Sequence, residues 1–176
     1  VIVSAMGKTT NALEKVVDAF FDGKKEEALQ LFEQVKQQHL TTAKYLLVTH
    51  YLSCENQLKD FFTEVEWLLH DKPVRDYDYY YDQVVCSGEL FSTVIVSAYL
   101  NEAGVTNKWL DVRDIFRTDD DFRDASIDWE FTNTKVQSIV AKEFEITDIV
   151  LTQGFIGATD ENESVTLGRE GSDYSA

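Results

Sequence analysis

Two short, continuous apolar runs frame the chain: the β-branched Val1-Ile2-Val3 at one end and Ile149-Val150-Leu151-Thr152 near the other. Strands that alternate apolar and polar residues keep one face in water, whereas continuous runs of this kind need cover on both faces, as in a parallel sheet flanked by helices. Each run passes into small residues and a glycine, Ser4-Ala5-Met6-Gly7 and Gln153-Gly154, which makes a loop at the carboxyl end of each strand.

Between the two runs the period is helical. Ala12, Leu13, Val16, Val17, Phe20 and Phe21 share one face, and Asp22-Gly23 supplies a stop. A second helix begins near Glu26 with Leu29, Phe32 and Val35 on one side. A third, over residues 55–71, carries Leu58, Phe61, Phe62, Val65, Leu68 and Leu69 before Pro73 closes it. The tract with Tyr77, Tyr79, Tyr80 and Tyr81, read as half-buried packing, leads into an amphipathic run from Leu90 through Leu100 that ends near Gly104. Residues 108–112 and Ile115-Phe116 read as short strands and 133–144 as a helix. The expected fold is α/β: a three-layer α/β/α sandwich with a mostly parallel sheet and strands and helices in alternation.

Composition excludes several classes. With 16 Lys+Arg against 32 Asp+Glu, the net charge of −16 disfavours nucleic acid and anionic membranes as partners, since both require clustered cations. The 44% hydrophobic content excludes a disordered chain. No signal peptide or spanning segment is read at either end, so a soluble, cytoplasmic protein is expected. Cys54 and Cys86 lack metal-ligand spacing and read as reduced thiols. The apolar start and the abrupt Tyr174-Ser175-Ala176 end give the expectation of a piece of a longer protein.

Several motifs fail their tests. Gly7-Lys8-Thr9 ends like a phosphate-cradling loop, yet the first glycine of that motif falls at Ile2. What remains is a polar turn with Ser4, Gly7, Thr9 and Thr10 between a strand and a helix, open to two readings: an anion site at the helix start or a cap serving the helix alone. Asp119-Asp120-Asp121 reads as a solvated turn. The run from Asp160 has Val165 and Gly171 where a calcium loop needs its Gly and its closing Glu. His39, His50 and His70 lack partners at nucleophile or metal spacing and are placed on the surface or in satisfied core positions. Glu89 in Ser87-Gly88-Glu89 is either a ligand carboxylate or a helix-start partner. Residues 154–175 hold half of the 8 glycines and read as a loop shaped around a ligand. In it Gly168-Arg169-Glu170-Gly171-Ser172-Asp173 offers a planar cationic fork between glycines.

Taken together, Val1-Ile2-Val3-Ser4-Ala5-Met6-Gly7-Lys8-Thr9-Thr10-Asn11, Ser87-Gly88-Glu89-Leu90, Trp109-Leu110-Asp111-Val112-Arg113-Asp114, Gln153-Gly154-Phe155-Ile156-Gly157-Ala158 and the run from Thr166 to the end resemble the aspartokinases of the amino-acid kinase family, in family order. The resemblance implies transfer of the γ-phosphoryl of Mg-ATP to the side-chain carboxylate of L-aspartate, giving 4-phospho-L-aspartate for lysine, threonine and methionine synthesis. It implies Ser4 and Thr10 in the substrate loop, Glu89 on the substrate ammonium, Arg169 on a substrate carboxylate, Phe155 and Ser172 in the same pocket, Gly7 and Gly171 near the phosphates, and Asp173 as the catalytic-site aspartate. No protein metal ligand is implied; Mg2+ and ATP are used by the full-length enzyme, whose chains associate with one another.

On this resemblance residues 1–176 form the aspartate-binding lobe. The first phosphate-binding strand with Lys-Phe-Gly-Gly-Thr-Ser, most of the nucleotide half and the ACT domains are absent, so the isolated chain is expected to be inactive. Glu170 departs from the glycine of many members and adds negative charge beside Arg169. Residues 24–71 look more like the long-form enzymes, including those fused to homoserine dehydrogenase. The rivals are another amino-acid kinase, for glutamate or carbamate, and a noncatalytic ligand-binding or assembly module.

Overall fold

A computed structural model describes residues 1–168 and Ser175. The apolar runs become strands β1 (Ile2–Val3) and β3 (Val150–Gln153), with β2 (Lys108–Trp109) on the far side of β3. All pairings are parallel, in the order β1-β3-β2, with Val3 beside Gln153 and Trp109 beside Leu151.

The helices are longer than their apolar stripes predicted. They are α1 (Thr9–Phe21), α2 (Lys25–Leu46), α3 (Tyr51–His70), α4 (Tyr77–Val85) and α5 (Ser87–Glu102). All five precede β2, so strands and helices do not alternate one for one as expected. Burial accounts for this. Phe32 of α2, Phe62 of α3 and Phe91 of α5 meet as an aromatic trio with centroids 4.8–6.4 Å apart, so the middle helices pack on one another before the chain returns to the sheet. By length and composition the stretch from Tyr77 to Glu102 would pass for a membrane span. Here its apolar side chains Leu90, Phe91, Val94 and Ile95 lie in the core, and Tyr80 and Tyr81 are buried with them.

Three expectations are corrected. Strand β2 ends at Trp109 because the Asp111 carboxylate accepts the Arg113 N–H at 3.0 Å and starts a 3-10 turn over Val112–Asp114. Ile115-Phe116 is not a strand: both N–H groups donate back to the Val112 carbonyl, and the chain bridges to Ala158 only at Arg117. The helix read over 133–144 starts earlier, at α6 (Trp129–Lys135), where the Asp128 carboxylate accepts from Glu130 and Phe131. It then widens into a π turn over Val136–Val140, rich in β-branched residues, and ends as α7 (Ala141–Glu143).

The glycine-rich region holds a hairpin, not only a loop: β4 (Ile156–Ala158) pairs antiparallel with β5 (Ser164–Thr166). Ile156, Ala158 and Val165 are buried, so the segment has its own apolar content. The calcium-like run forms the turn, where Thr159 and Glu163 pair across a left-handed Asn162 (φ 61°).

His39 lies wholly inside, against Phe91, with Nδ1 2.7 Å from the Val35 carbonyl. Its Nε2 has no partner among the described residues, so the position is in the core but not satisfied. Burial lowers its pKa and keeps it neutral.

Candidate functional site

The carboxyl ends of β1 and β3 lie side by side, and the Gly154 N–H donates to the Val3 carbonyl at 3.3 Å. Loops leaving adjacent parallel strands at that edge are where open α/β sheets bind ligands. Ser4, Gly7 and Thr10 follow β1, and Phe155 follows β3. Helix α5 brings Gly88 and Glu89 beneath the first loop. Sequence reasoning named all of these, and the fold brings them to one edge.

The contact between α5 and the β1–α1 loop is close. The Ser92 hydroxyl donates to the Ser4 carbonyl at 2.8 Å, and a Cβ at Gly88 would stand 3.1 Å from both Leu13 Cδ1 and Thr9 Cγ2. Glycine lets the two backbones approach. Gly88→Val, with two further carbons and no free volume, is expected to cost about 1–3 kcal/mol in a urea melt; an unchanged midpoint would show that α1 yields freely.

Glu89 is buried, and the Ala5 N–H is its hydrogen-bond partner. Its Oε2 has none among the described residues. Burial pushes the carboxyl up to about 8, with the Ala5 N–H pulling the other way. A helix-start role does not require such burial, whereas an incoming ammonium would supply the missing partner and favour the ionised form. The reading of the β1–α1 turn as a cap is also weakened: Lys8 makes no side-chain cap, and the Thr9 hydroxyl donates backwards to the Met6 carbonyl at 2.6 Å. Lys8 thus leaves the start of α1 without a side-chain cap of its own.

A buried polar network holds these parts in register. The Gln153 side chain accepts the Val112 N–H at 2.8 Å and donates to Thr93 Oγ1 at 2.8 Å. Thr93 also accepts the Trp109 indole N–H at 2.9 Å and donates to the Glu89 carbonyl at 2.9 Å. The sequence offered Gln153 as part of a motif without a task, and Thr93 gave no signal. Asp82 was missed as well, although an acid inside the apolar run from Tyr79 to Val85 was a visible cue. It is fully buried and accepts the Thr166 N–H (2.9 Å), the Thr166 hydroxyl (2.7 Å) and the Arg123 N–H (2.8 Å). Burial pushes its carboxyl up to about 6 against the pull of those donors.

Phe155 takes a left-handed backbone (φ 72°), uncommon for a bulky residue, with its N–H on Ser175 Oγ at 3.1 Å and its carbonyl on the Leu167 N–H at 2.8 Å. Gly168 is also left-handed (φ 72°), and a Cβ there would be 2.6 Å from Asp124 Oδ1. Arg169, Gly171, Ser172 and Asp173 lie outside the described residues.

The family model described as the amino acid kinase family matches residues 1–176. The lysine-sensitive aspartokinase 3 of Escherichia coli K12 is 28% identical over 100% of this chain and 38% of its own length. Two crystal structures of E. coli aspartokinase III, one with lysine and aspartate (T-state) and one with aspartate and ADP (R-state), superpose with TM-scores of 0.87 and 0.85. Both are 26% identical and match 99% of this chain and 38% of theirs. The chain thus spans 38% of the length of these relatives.

Proposed function

Because the chain belongs to the amino acid kinase family, we propose that it is the aspartate-binding lobe of an aspartokinase, which moves the γ-phosphoryl of ATP to the side-chain carboxylate of L-aspartate. The observation that carries this is Glu89, a buried carboxylate at the carboxyl edge of the sheet whose Oε2 has no partner among the described residues. The E. coli structures that this chain resembles hold aspartate, one of them with ADP, which supports these substrates.

In this reading Glu89 pairs with the α-ammonium and Arg169 with a carboxylate. Ser4, Thr10, Phe155 and Ser172 enclose the substrate, while Gly7 and Gly171 lie near the phosphates and Asp173 faces the transferred group. Phosphoryl transfer asks the protein for alignment and charge stabilisation and needs no nucleophilic side chain. In this reading Mg2+ comes with the nucleotide phosphates. The ion neutralises phosphate charge when bound. A self-associating parent protein in the cytoplasm, without nucleic-acid or membrane partners, completes the proposal.

Calorimetry on the full-length protein tests it. A Glu89 carboxyl at about 8 is mostly protonated at neutral pH, so capture of an ammonium should release close to one proton, seen as a dependence of binding heat on buffer ionisation enthalpy. Glu89→Gln should abolish that release and raise the apparent aspartate constant roughly ten- to hundredfold, the loss of a charge-assisted bond of ~1.5–3 kcal/mol, with ATP unaffected. The unliganded stability has a definite sign. A carboxyl raised from 4.5 to about 8 binds more protons folded than unfolded in that window, so stability falls as pH rises through it. Gln should remove this slope. Unaltered aspartate binding with no proton release would refute the assignment.

A further inference from the structure

Among the described residues the outer edge of β5 has no neighbouring strand; the joint between α4 and α5 takes its place. Gln83 bonds Ser164 in both directions, donating to its carbonyl at 2.8 Å and accepting its N–H at 3.1 Å. The Cys86 thiol donates to the Val165 carbonyl at 3.3 Å, and Asp82 takes both the N–H and the hydroxyl of Thr166. One short segment therefore fixes every residue of β5, and the same segment continues into Gly88-Glu89.

Thr166 is the pivotal position. The next residue, Leu167, donates its N–H to the Phe155 carbonyl at 2.8 Å, and Phe155 stands in a left-handed conformation that a bulky side chain rarely adopts. Such a conformation persists only where its surroundings over-determine it. Asp82 supplies the fixed end: its carboxylate meets neutral donors, because the Arg123 guanidinium pairs with Asp78 at 2.9 Å while only the Arg123 backbone N–H reaches Asp82.

We propose that Asp82 is a positioning residue for the substrate pocket, acting through Thr166 and Leu167 to hold the Phe155 turn, which leaves β3 next to the loop from β1 that carries Ser4. This rests on the aspartokinase reading. It assigns work to a side chain that touches no substrate, and it separates the two ends of β5: Asp82 holds the end facing Phe155, and Gln83 holds the end facing the hairpin turn.

The separation makes the test. In the full-length protein Asp82→Ala should raise the aspartate KM roughly tenfold or more with the ATP KM unchanged, because a displaced pocket wall costs alignment of one substrate only. Asp82→Asn should restore near-normal KM: its carbonyl can accept both N–H groups, and its amide can donate to a turned Thr166 hydroxyl. Gln83→Ala should destabilise the fold without moving the aspartate KM. If Asp82→Ala fails to fold, Thr166→Val, which removes a single bond to the carboxylate, should raise the aspartate KM severalfold. A wild-type aspartate KM in a folded Asp82→Ala or Thr166→Val protein, or an equal shift in Gln83→Ala, would overturn the proposal. Absence of aspartate-dependent turnover in the unmutated full-length protein would instead overturn the aspartokinase reading.

Discussion

Purified and mixed with L-aspartate and Mg-ATP, the 176-residue chain is expected to yield no aspartate-dependent ADP. The sequence contains no Lys-Phe-Gly-Gly-Thr-Ser run, and the chain spans 38% of the E. coli relative's length. On the aspartokinase reading, two anions must be brought together by a chain whose net charge is −16. Among the residues assigned here to the pocket, Arg169 is the fixed cation, helped by the start of α1. Alignment of the nucleotide and stabilisation of its charge are each worth several orders of magnitude, so their joint loss removes about 10^5-fold of rate or more. A coupled assay for ADP sensitive to a few turnovers per hour is sufficient. Aspartate binding without turnover would fit a lobe that recognises one substrate and needs the remainder for chemistry. Clear aspartate-dependent turnover would show that these residues suffice, and the proposed division of labour would fall.

Replacing Arg169 by Lys in the full-length protein should be nearly as damaging as replacing it by Ala. The guanidinium is a planar fork that can hold both oxygens of one carboxylate, whereas an ammonium on a flexible stem offers a point charge. Losing the fork costs alignment as well as affinity, so kcat/KM is expected to fall by about two orders of magnitude or more in both variants. Thermal melting should be unchanged in both. Near-normal turnover with Lys would mean that a simple positive charge suffices. A collapse of the melting transition would make the arginine structural.

The sequence by itself determined the class of fold and which loops leave the carboxyl ends of its paired strands. Val1-Ile2-Val3 and Ile149-Val150-Leu151-Thr152 read as strands of a parallel sheet, but only the second is covered: Val150 and Leu151 are buried, whereas β1 lies at the sheet edge with Val1 exposed and Ile2 and Val3 half-buried. The stripes of α1 and α3 fixed which faces met the core, because periodicity is a local record of burial. The residues at the carboxyl ends of those strands, with Ser87-Gly88-Glu89, were legible because ligand edges collect small and polar residues in recognisable runs.

Tertiary structure alone decided the rest. The hairpin of β4 and β5 was hidden because its strands are three residues each, too short for an alternation to register. The early end of β2 depends on the Asp111 carboxylate reaching a backbone N–H, which no hydrophobic pattern records. Asp82 and Thr166 are far apart in sequence, as are Gln153 and Thr93, and each pair is joined by hydrogen bonds. A hydrogen bond between distant elements leaves no periodic trace in either, because it satisfies a polar group only once the chain has brought both ends into the same low-dielectric space. That is also why Glu89 could be read two ways in the sequence: its burial, and an Oε2 with no partner among the described residues, exist only when α5 has closed beneath the loop from β1.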